Sequence, residues 1–396
     1  MIANSNQPIG FTSSVQPRAA LAALVATAAL FSPAATFAGD DNSWVGRKIM
    51  TKETGIWIGH TGSVLRGLLQ RQVYDAELTD LTYTVLKEQD GWLSVRHRGA
   101  QGWFPKEKAV LLDDALSYFD EKIRANNEDA FASARRGRAW KEQGEYEKAL
   151  TDLNEAIRLD PDRPAYFSNR GLVYDRLDEY DRAIGDYNEA LRRDPTDAQT
   201  YCSRGRAYRA KKDYDQAIND YNQAVRLDPK LADAYFHRGN AYKARKEYTQ
   251  AVRDYGEAIR LEPNWPDPYF NRANAYRANK EYAPAVSDYN QVIRLDPKDA
   301  DACSNVAWLL ATCPDTKVRD GRKAVEHATK ACDLTSWKAS YFLSTLAAAC
   351  AEAGEFEQAI KWQKRALESS QYERNEGKSA RQRLALFEDR RPYREE

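Results

Sequence analysis

The sequence predicts a mainly α-helical solenoid of stacked antiparallel helix pairs, preceded by a small all-β module. Three observations predict it. Pro161, Pro195, Pro229, Pro263 and Pro297 recur every 34 residues, each ending a run in Leu-Asp/Glu-Pro or Arg-Asp-Pro. Small residues recur in the same phase, as Gly137, Gly171, Gly205, Gly239 and Ala273, and as Ala149, Ala183, Ala217, Ala251 and Ala285. A fixed period of this length marks stacked units that cannot bury a core alone. Residues 43–112 differ: short runs that alternate apolar and polar residues are broken by turn signals.

From the amino end, residues 1–38 read as a secretory signal peptide. Arg18 precedes an apolar run, Ala19 to Phe31, and Thr36-Phe37-Ala38 offers small residues for cleavage. That run is short for a bilayer span, and no later segment is a candidate, so no integral membrane segment is expected. The expected location is the periplasm or cell envelope, and a disordered tail or organellar transit peptide is the alternative.

Residues 39–112 follow. Thr82 to Leu86 and Trp92 to Arg96 alternate as half-buried strands do, between turns at Asp90-Gly91 and Gly99 to Gly102. Gly91-Trp92-Leu93-Ser94-Val95, and Gly102-Trp103-Phe104 followed by Val110, resemble bacterial SH3-like barrels. The resemblance implies binding of cell-wall peptides (peptidoglycan) or of a protein. Trp57, Tyr83, Trp92 and Trp103 are the candidate aromatic groove; the alternative is that Trp92 and Trp103 fill the barrel interior.

Ala115, Phe119 and Ile123 then space out one lone helix, over 113–127, that covers the open end of the stack. Five full units occupy 130–299. In the fourth, Tyr235, Gly239 and Tyr242 share one helix face, and Ala251, Tyr255, Ala258 and Ile259 mark the inner face of a second helix. The small residues let the helices approach, tyrosines fill the space between hairpins, and Pro263 stops the second helix. These units resemble tetratricopeptide repeats. The resemblance implies a right-handed superhelix of antiparallel helix pairs. Two degenerate units occupy 300–370, marked by Ala307, Ala324 and Ala331, then Ala347, Phe356, Ala359 and Ala366. Residues 371–396 read as a capping helix and tail, with Leu384, Leu386 and Phe387 on the last hairpin.

The tetratricopeptide resemblance implies that the first helix of each hairpin lines a concave face. Residues beside its buried stripe are the candidate peptide-binding groove: Arg135, Arg138 and Lys141; Asn169 and Leu172; Ser203, Arg206 and Arg209; His237, Asn240 and Lys243; Asn271, Asn274 and Arg277; Asn305 and Trp308. Their i, i+3, i+6 spacing holds each set on one side of its helix. Asn amides can bond the unpaired backbone of an extended peptide, and Arg can grip a carboxylate. Some relatives clamp a terminal carboxylate with cations where this chain has Asp233, Asp267 and Asp301. That departure argues against a chaperone-tail ligand.

Arg136, Arg170, Arg204, Arg238 and Arg272 recur ahead of the small residue, and Asp152, Asp186, Asp220, Asp254 and Asp288 recur on the second helix. They could be a ligand ladder, but opposite charges repeated in phase suit structural Arg–Asp bridges. Cys303 begins one helix and Cys332 ends its antiparallel mate, so an exported chain could join them by a disulfide; otherwise all five cysteines are small buried residues.

With 59 basic and 59 acidic residues the formal net charge is zero, which argues against a nucleic-acid partner. No Gly-x-Ser-x-Gly, phosphate-cradling loop, His-Glu-x-x-His or Cys-x-x-Cys occurs. His60 and His97 make a weak metal or acid–base pair, so no metal, cofactor or catalytic residue is expected. The expected function is that of a non-enzymatic scaffold that binds a protein or extended peptide. The alternative is a wall-binding protein that acts through the SH3-like module, with the repeats as spacer.

Overall fold

The computed structural model describes residues 43, 45–52, 57–59, 74–77, 83–97 and 100–395. The expected signal peptide lies outside them, as does His60. Trp57–Gly59 and Tyr83–Thr84 are placed as strands β2 and β4.

The strands come first. β1 (Lys48–Thr51) pairs antiparallel with β4 and with β8 (Ala109–Leu111). A second sheet runs β3 (Tyr74–Glu77), β2, β7 (Ala100–Pro105), β6 (Trp92–His97), β5 (Lys87–Gln89). Segment 83–89 serves both sheets: Ile49 lies opposite Tyr83, and the Leu86 N–H donates to the Ser94 carbonyl at 2.8 Å. Asp90 and Gly91 turn the chain between β5 and β6 with φ of 50° and 79°. Among the described residues no strand pairing closes this arrangement into a barrel.

Sixteen helices follow among the described residues. α1 (Leu112–Ala125) is single. Five hairpins come next: α2–α3 (Ala130–Glu142, Tyr146–Leu159), α4–α5 (Pro164–Arg176, Tyr180–Arg193), α6–α7 (Ala198–Ala210, Tyr214–Leu227), α8–α9 (Ala232–Ala244, Tyr248–Leu261) and α10–α11 (Pro266–Ala278, Tyr282–Leu295). α12–α13 (Ala300–Thr312, Gly321–Leu334) and α14–α15 (Phe356–Leu367 being the second, Ser340–Glu352 the first) complete the pairs, and α16 spans Ser370–Glu388.

Local chemistry sets the boundaries. The Asp129, Asp197 and Asp299 carboxylates accept backbone N–H groups at the starts of α2, α6 and α12. Pro164 and Pro266 open α4 and α10, where a missing N–H costs nothing. Between the helices of a hairpin one residue takes the left-handed conformation: Gly144, then Asp178, Lys212, Lys246 and Lys280, with φ between 58° and 83°. The next N–H reaches back to the first helix, as Glu179 does to the Tyr174 carbonyl at 2.9 Å, which closes a Schellman turn.

Packing explains the small residues. Tyr187, Tyr221 and Tyr255 on the second helices are fully buried. A Cβ built on Gly171, Gly205 or Gly239 would come within 2.7–2.8 Å of the tyrosine ring facing it. Glycine is what lets the ring lie flat on the helix backbone. α1 covers the open end: Ala115 and Phe119 pack with Ala132 and Ala139 of α2 and with Met50 and Val110 of the strands. At the other end Tyr372, Ala380 and Phe387 of α16 join the core of α12–α15.

Candidate peptide-binding groove

The Arg–Asp ladder is structural. Arg136, Arg170, Arg204, Arg238 and Arg272 each hold the Asp sixteen residues on with two parallel hydrogen bonds of 2.6–2.8 Å. The aspartates are buried. Burial pushes Asp220 and Asp254 up, and the arginine opposite pulls each back. Each ladder Arg except Arg136 also lies over a ring, such as Arg238 over Tyr235 at 5.4 Å. Sequence reasoning missed the third partner. Nη1 of Arg136 donates backward to Asp120 of the single helix α1, and Nη1 of Arg170, Arg204 and Arg238 to Asn154, Asn188 and Asn222 on the second helix of the preceding hairpin, at 2.7–2.8 Å. The 34-residue spacing of Asn154, Asn188 and Asn222 was the available signal. Gly256 breaks the row; its Cβ position lies 3.6 Å from Arg272 Nη1.

The candidate groove residues lie on the first helices, which neighbour one another: α2 beside α4, α4 beside α6, α6 beside α8, α8 beside α10, and α12 beside α14. At the α2 end Arg138 and Lys141 both pair with Glu142, at 3.0 and 3.2 Å, and Lys48 of β1 reaches the same carboxylate at 3.3 Å. Burial, helped by Arg138, pushes the Lys141 ammonium down to about 8. Arg135 is buried with its guanidinium 4.7 Å over the Phe131 ring, and Asn169 is buried and donates to the Ala165 carbonyl. These two are packing residues more than peptide contacts.

The middle of the row is arranged differently. Asn240 and Asn274 accept the hydroxyls of Tyr255 and Tyr289 at 2.8 and 2.7 Å. Fifteen residues before Tyr187 and Tyr221 stand Leu172 and Arg206 instead, and both of those hydroxyls are buried without a hydrogen bond. Arg206 turns to Asp175 at 2.8 Å, an acid the sequence reading did not single out. Arg209 lies against the Tyr221 hydroxyl and its Nε is buried without a partner. The His237 ring stacks on Tyr221 with centroids 6.1 Å apart, and its Nδ1 is also unpartnered. Burial, then Arg206 and Arg209, push His237 down to about 3, so it is neutral at physiological pH. Lys243 donates to Asn271 at 2.6 Å, and burial and Arg209 lower its pKa. Asn271 in turn donates to the Asp267 carbonyl. Arg206, Arg209 and His237 are therefore one cluster around Tyr221, and Lys243 adjoins it through Arg209.

At the far end the structure adds a partner that the sequence did not reveal. Arg277 and Trp308 both meet Glu395, at 3.5 and 3.2 Å. Asn305 is half-buried on α12.

The four aromatic-groove residues divide between the sheets. Tyr83 belongs to the three-stranded sheet, while Trp57, Trp92 and Trp103 lie on strands of the five-stranded one. Ser94 is the cross-strand partner of Trp103, and Pro105 that of Trp92, so Trp92 and Trp103 are diagonal neighbours. Both are half-buried. Cys303 and Cys332 stand as separate free thiols; all five cysteines are buried. Burial pushes Cys332 up to about 12, which leaves it an inert thiol in an apolar core. Among the described residues no group of three His, Cys, Asp or Glu side chains could hold a metal ion, and no helix is long and apolar enough to cross a membrane.

The geometry defines a stack of two-helix repeats. Family profiles described as TPR repeat match residues 137–178, 205–244 and 239–279, and profiles described as Tetratricopeptide repeat match 164–197, 186–219 and 266–299. The chain thus carries tetratricopeptide repeats. No curated protein matches it. Among solved structures it is similar to YrrB, whose structure is described as that of a TPR protein with an unusual peptide-binding site (21% identity, 46% of this chain and 95% of that one, TM-score 0.39). It is also similar to PilF of Pseudomonas aeruginosa (20%, 55% and 96%, TM-score 0.48) and to MamA of Desulfovibrio magneticus (20%, 43% and 96%, TM-score 0.40).

Proposed function

We propose that this protein is a non-enzymatic interaction scaffold that binds an extended peptide segment of another protein along its row of first helices, with an acidic side chain anchored at Arg209 and Lys243. One observation carries the reading. Arg209 Nε, the Tyr221 hydroxyl and His237 Nδ1, from three helices, are buried at one place, and no group outside this cluster bonds them. Arg209 and Tyr221 can both donate, and a neutral imidazole can donate from either nitrogen. Buried donors left unpaired cost about 1–3 kcal/mol each, which a ligand carboxylate would recover. The ladder arginines, by contrast, are already satisfied by aspartate and take no part.

The test is selection from a random-peptide display library. Asn240 and Asn274 are poor targets because each holds a buried tyrosine hydroxyl. Arg209→Ala/Lys243→Ala is the informative variant. Peptides enriched on the parent should carry acidic residues and lose binding at least about tenfold on the variant. Selected peptides that bind both proteins equally would remove the groove reading.

Place and second module complete the proposal. A cleaved leader over 1–38 would put the scaffold in the periplasm or cell envelope. The eight strands, read as an SH3-like barrel, would add a second binding surface, for peptidoglycan or for a protein. What favours this is the sharing of segment 83–89 between both sheets. Binding of the whole protein to purified sacculi, lost on Trp92→Ala with the helices intact, would support the wall reading, and no binding would leave the peptide groove alone.

A further inference from the structure

The segment after α16 does not trail away from the stack. It turns at Arg390, in the left-handed conformation, and runs back to the far end of the first-helix row. There the Glu395 N–H donates to the Thr312 carbonyl at 2.9 Å, and Arg394 Nη1 approaches the Ala311 carbonyl at 3.4 Å. Both carbonyls belong to the last turn of α12, where a helix leaves its own carbonyls unpaired. The Glu395 bond is made by backbone alone and is sequence-independent. The side chains add pattern. The Tyr393 ring packs on Trp308, centroids 5.8 Å apart, and the buried Arg383 guanidinium lies within 6 Å of both rings. Glu395 accepts from Trp308 Nε1 and pairs with Arg277. Arg394, between them, pairs instead with Glu352 of α14 at 2.6 Å. In extended chain, residues i and i+2 face one way and i+1 the other. The surface therefore reads an aromatic residue and, two positions on, an acid.

We infer that the Trp308–Arg277 end of the groove is a recognition site for extended segments of the pattern aromatic–x–acidic, held in cis by Tyr393–Glu395. An outside peptide of that pattern binds by displacing this segment. The inference rests on the peptide-groove reading but concerns a different stretch of the row, away from Arg209 and Lys243.

The experiment uses the full chain with Tyr393→Ala/Glu395→Ala and a fluorescein-labelled peptide matching residues 388–396. Anisotropy should show saturable binding to the double variant. The unaltered chain should bind about tenfold or more weakly, because a tethered competitor acts at an effective concentration in the mM range. Adding Trp308→Ala to the double variant should abolish binding, and a scrambled peptide should not bind. Absence of saturable binding to the double variant at unchanged helicity would overturn the proposal and make the segment a structural seal. So would equal binding to both chains. Peptides that depend on Arg209 and Lys243 are read on the unaltered chain, so either idea can fail alone.

Discussion

The five regular hairpins, α2–α11, and the closing elements, α12–α16, are held together by different means. The first four hairpins each have a small core of their own, such as Ala183, Ile184 and Tyr187 with Ala207 of the next, while Ala273, Ala285 and Tyr289 of α10–α11 already belong to the closing core; units are riveted by the Arg–Asp–Asn ladder. The closing elements share one continuous core of Ala, Leu, Val and Cys with Phe387 at its end, and none of the ladder arginines lies there. A repeat must satisfy the same neighbours above and below, so directional polar pairs suit it. An end has one neighbour only and can specialise. The same end binds the Tyr393–Glu395 segment, and buried atoms without a partner occur in both parts, at Arg209, Tyr221 and His237 and at Gln363 and Arg383.

Four substitutions test the difference between these regions. The largest effect is expected in the closing core. Phe387 is fully buried, so Phe387→Ala should cost about 4 kcal/mol and melt α12–α16 ahead of the regular hairpins. Hydrogen exchange resolved along the chain would show it; uniform loss of protection would mean that the two regions are one cooperative unit. Next comes the ladder. Arg238→Ala strands the buried Asp254 carboxylate and should cost about 3 kcal/mol in urea unfolding. The double change with Asp254→Ala should cost less than the sum of the two, and additivity would mean that the pair is not coupled.

The third is a pH effect. His237 is depressed to about 3 in the folded chain against about 6.5 unfolded. The unfolded chain therefore binds more protons between those values. The stability is full above about pH 6.5 and is lost as pH falls through that window toward 3. From pH 6 to pH 5 the parent should lose about 1.4 kcal/mol more than His237→Gln does. Parallel profiles would place the imidazole in water. The smallest effect tests the ladder's gap: Gly256→Asn should supply Arg272 with the rung that its homologues in the row have, and stabilise by about 1 kcal/mol. No gain would show that the backward rung is dispensable.

Much of this was legible in advance. The 34-residue phase of proline, glycine and alanine implied the hairpins and their boundaries. Opposite charges in phase implied the Arg–Asp bridges. The asparagine rung is equally periodic and lies at the same sixteen-residue offset, but a neutral amide carries no opposite charge to mark it as the arginine's partner. Within the groove, position along each helix was readable but partner was not. Asn240 resembles a peptide-binding amide in sequence, yet its oxygen is taken by Tyr255. Arg209 looked like one cation of several, yet it is the one beside an unsatisfied tyrosine.

The repeat, its period, its helix ends and its Arg–Asp pairs can be read from the chain alone, because those depend on contacts at fixed short offsets. The stacking of the units settled which groove residues are already spent on neighbours and that Tyr393–Glu395 returns to Trp308. Those contacts link residues 15 to 87 positions apart. Which of them form depends on how every intervening unit stacks, and no local pattern records that.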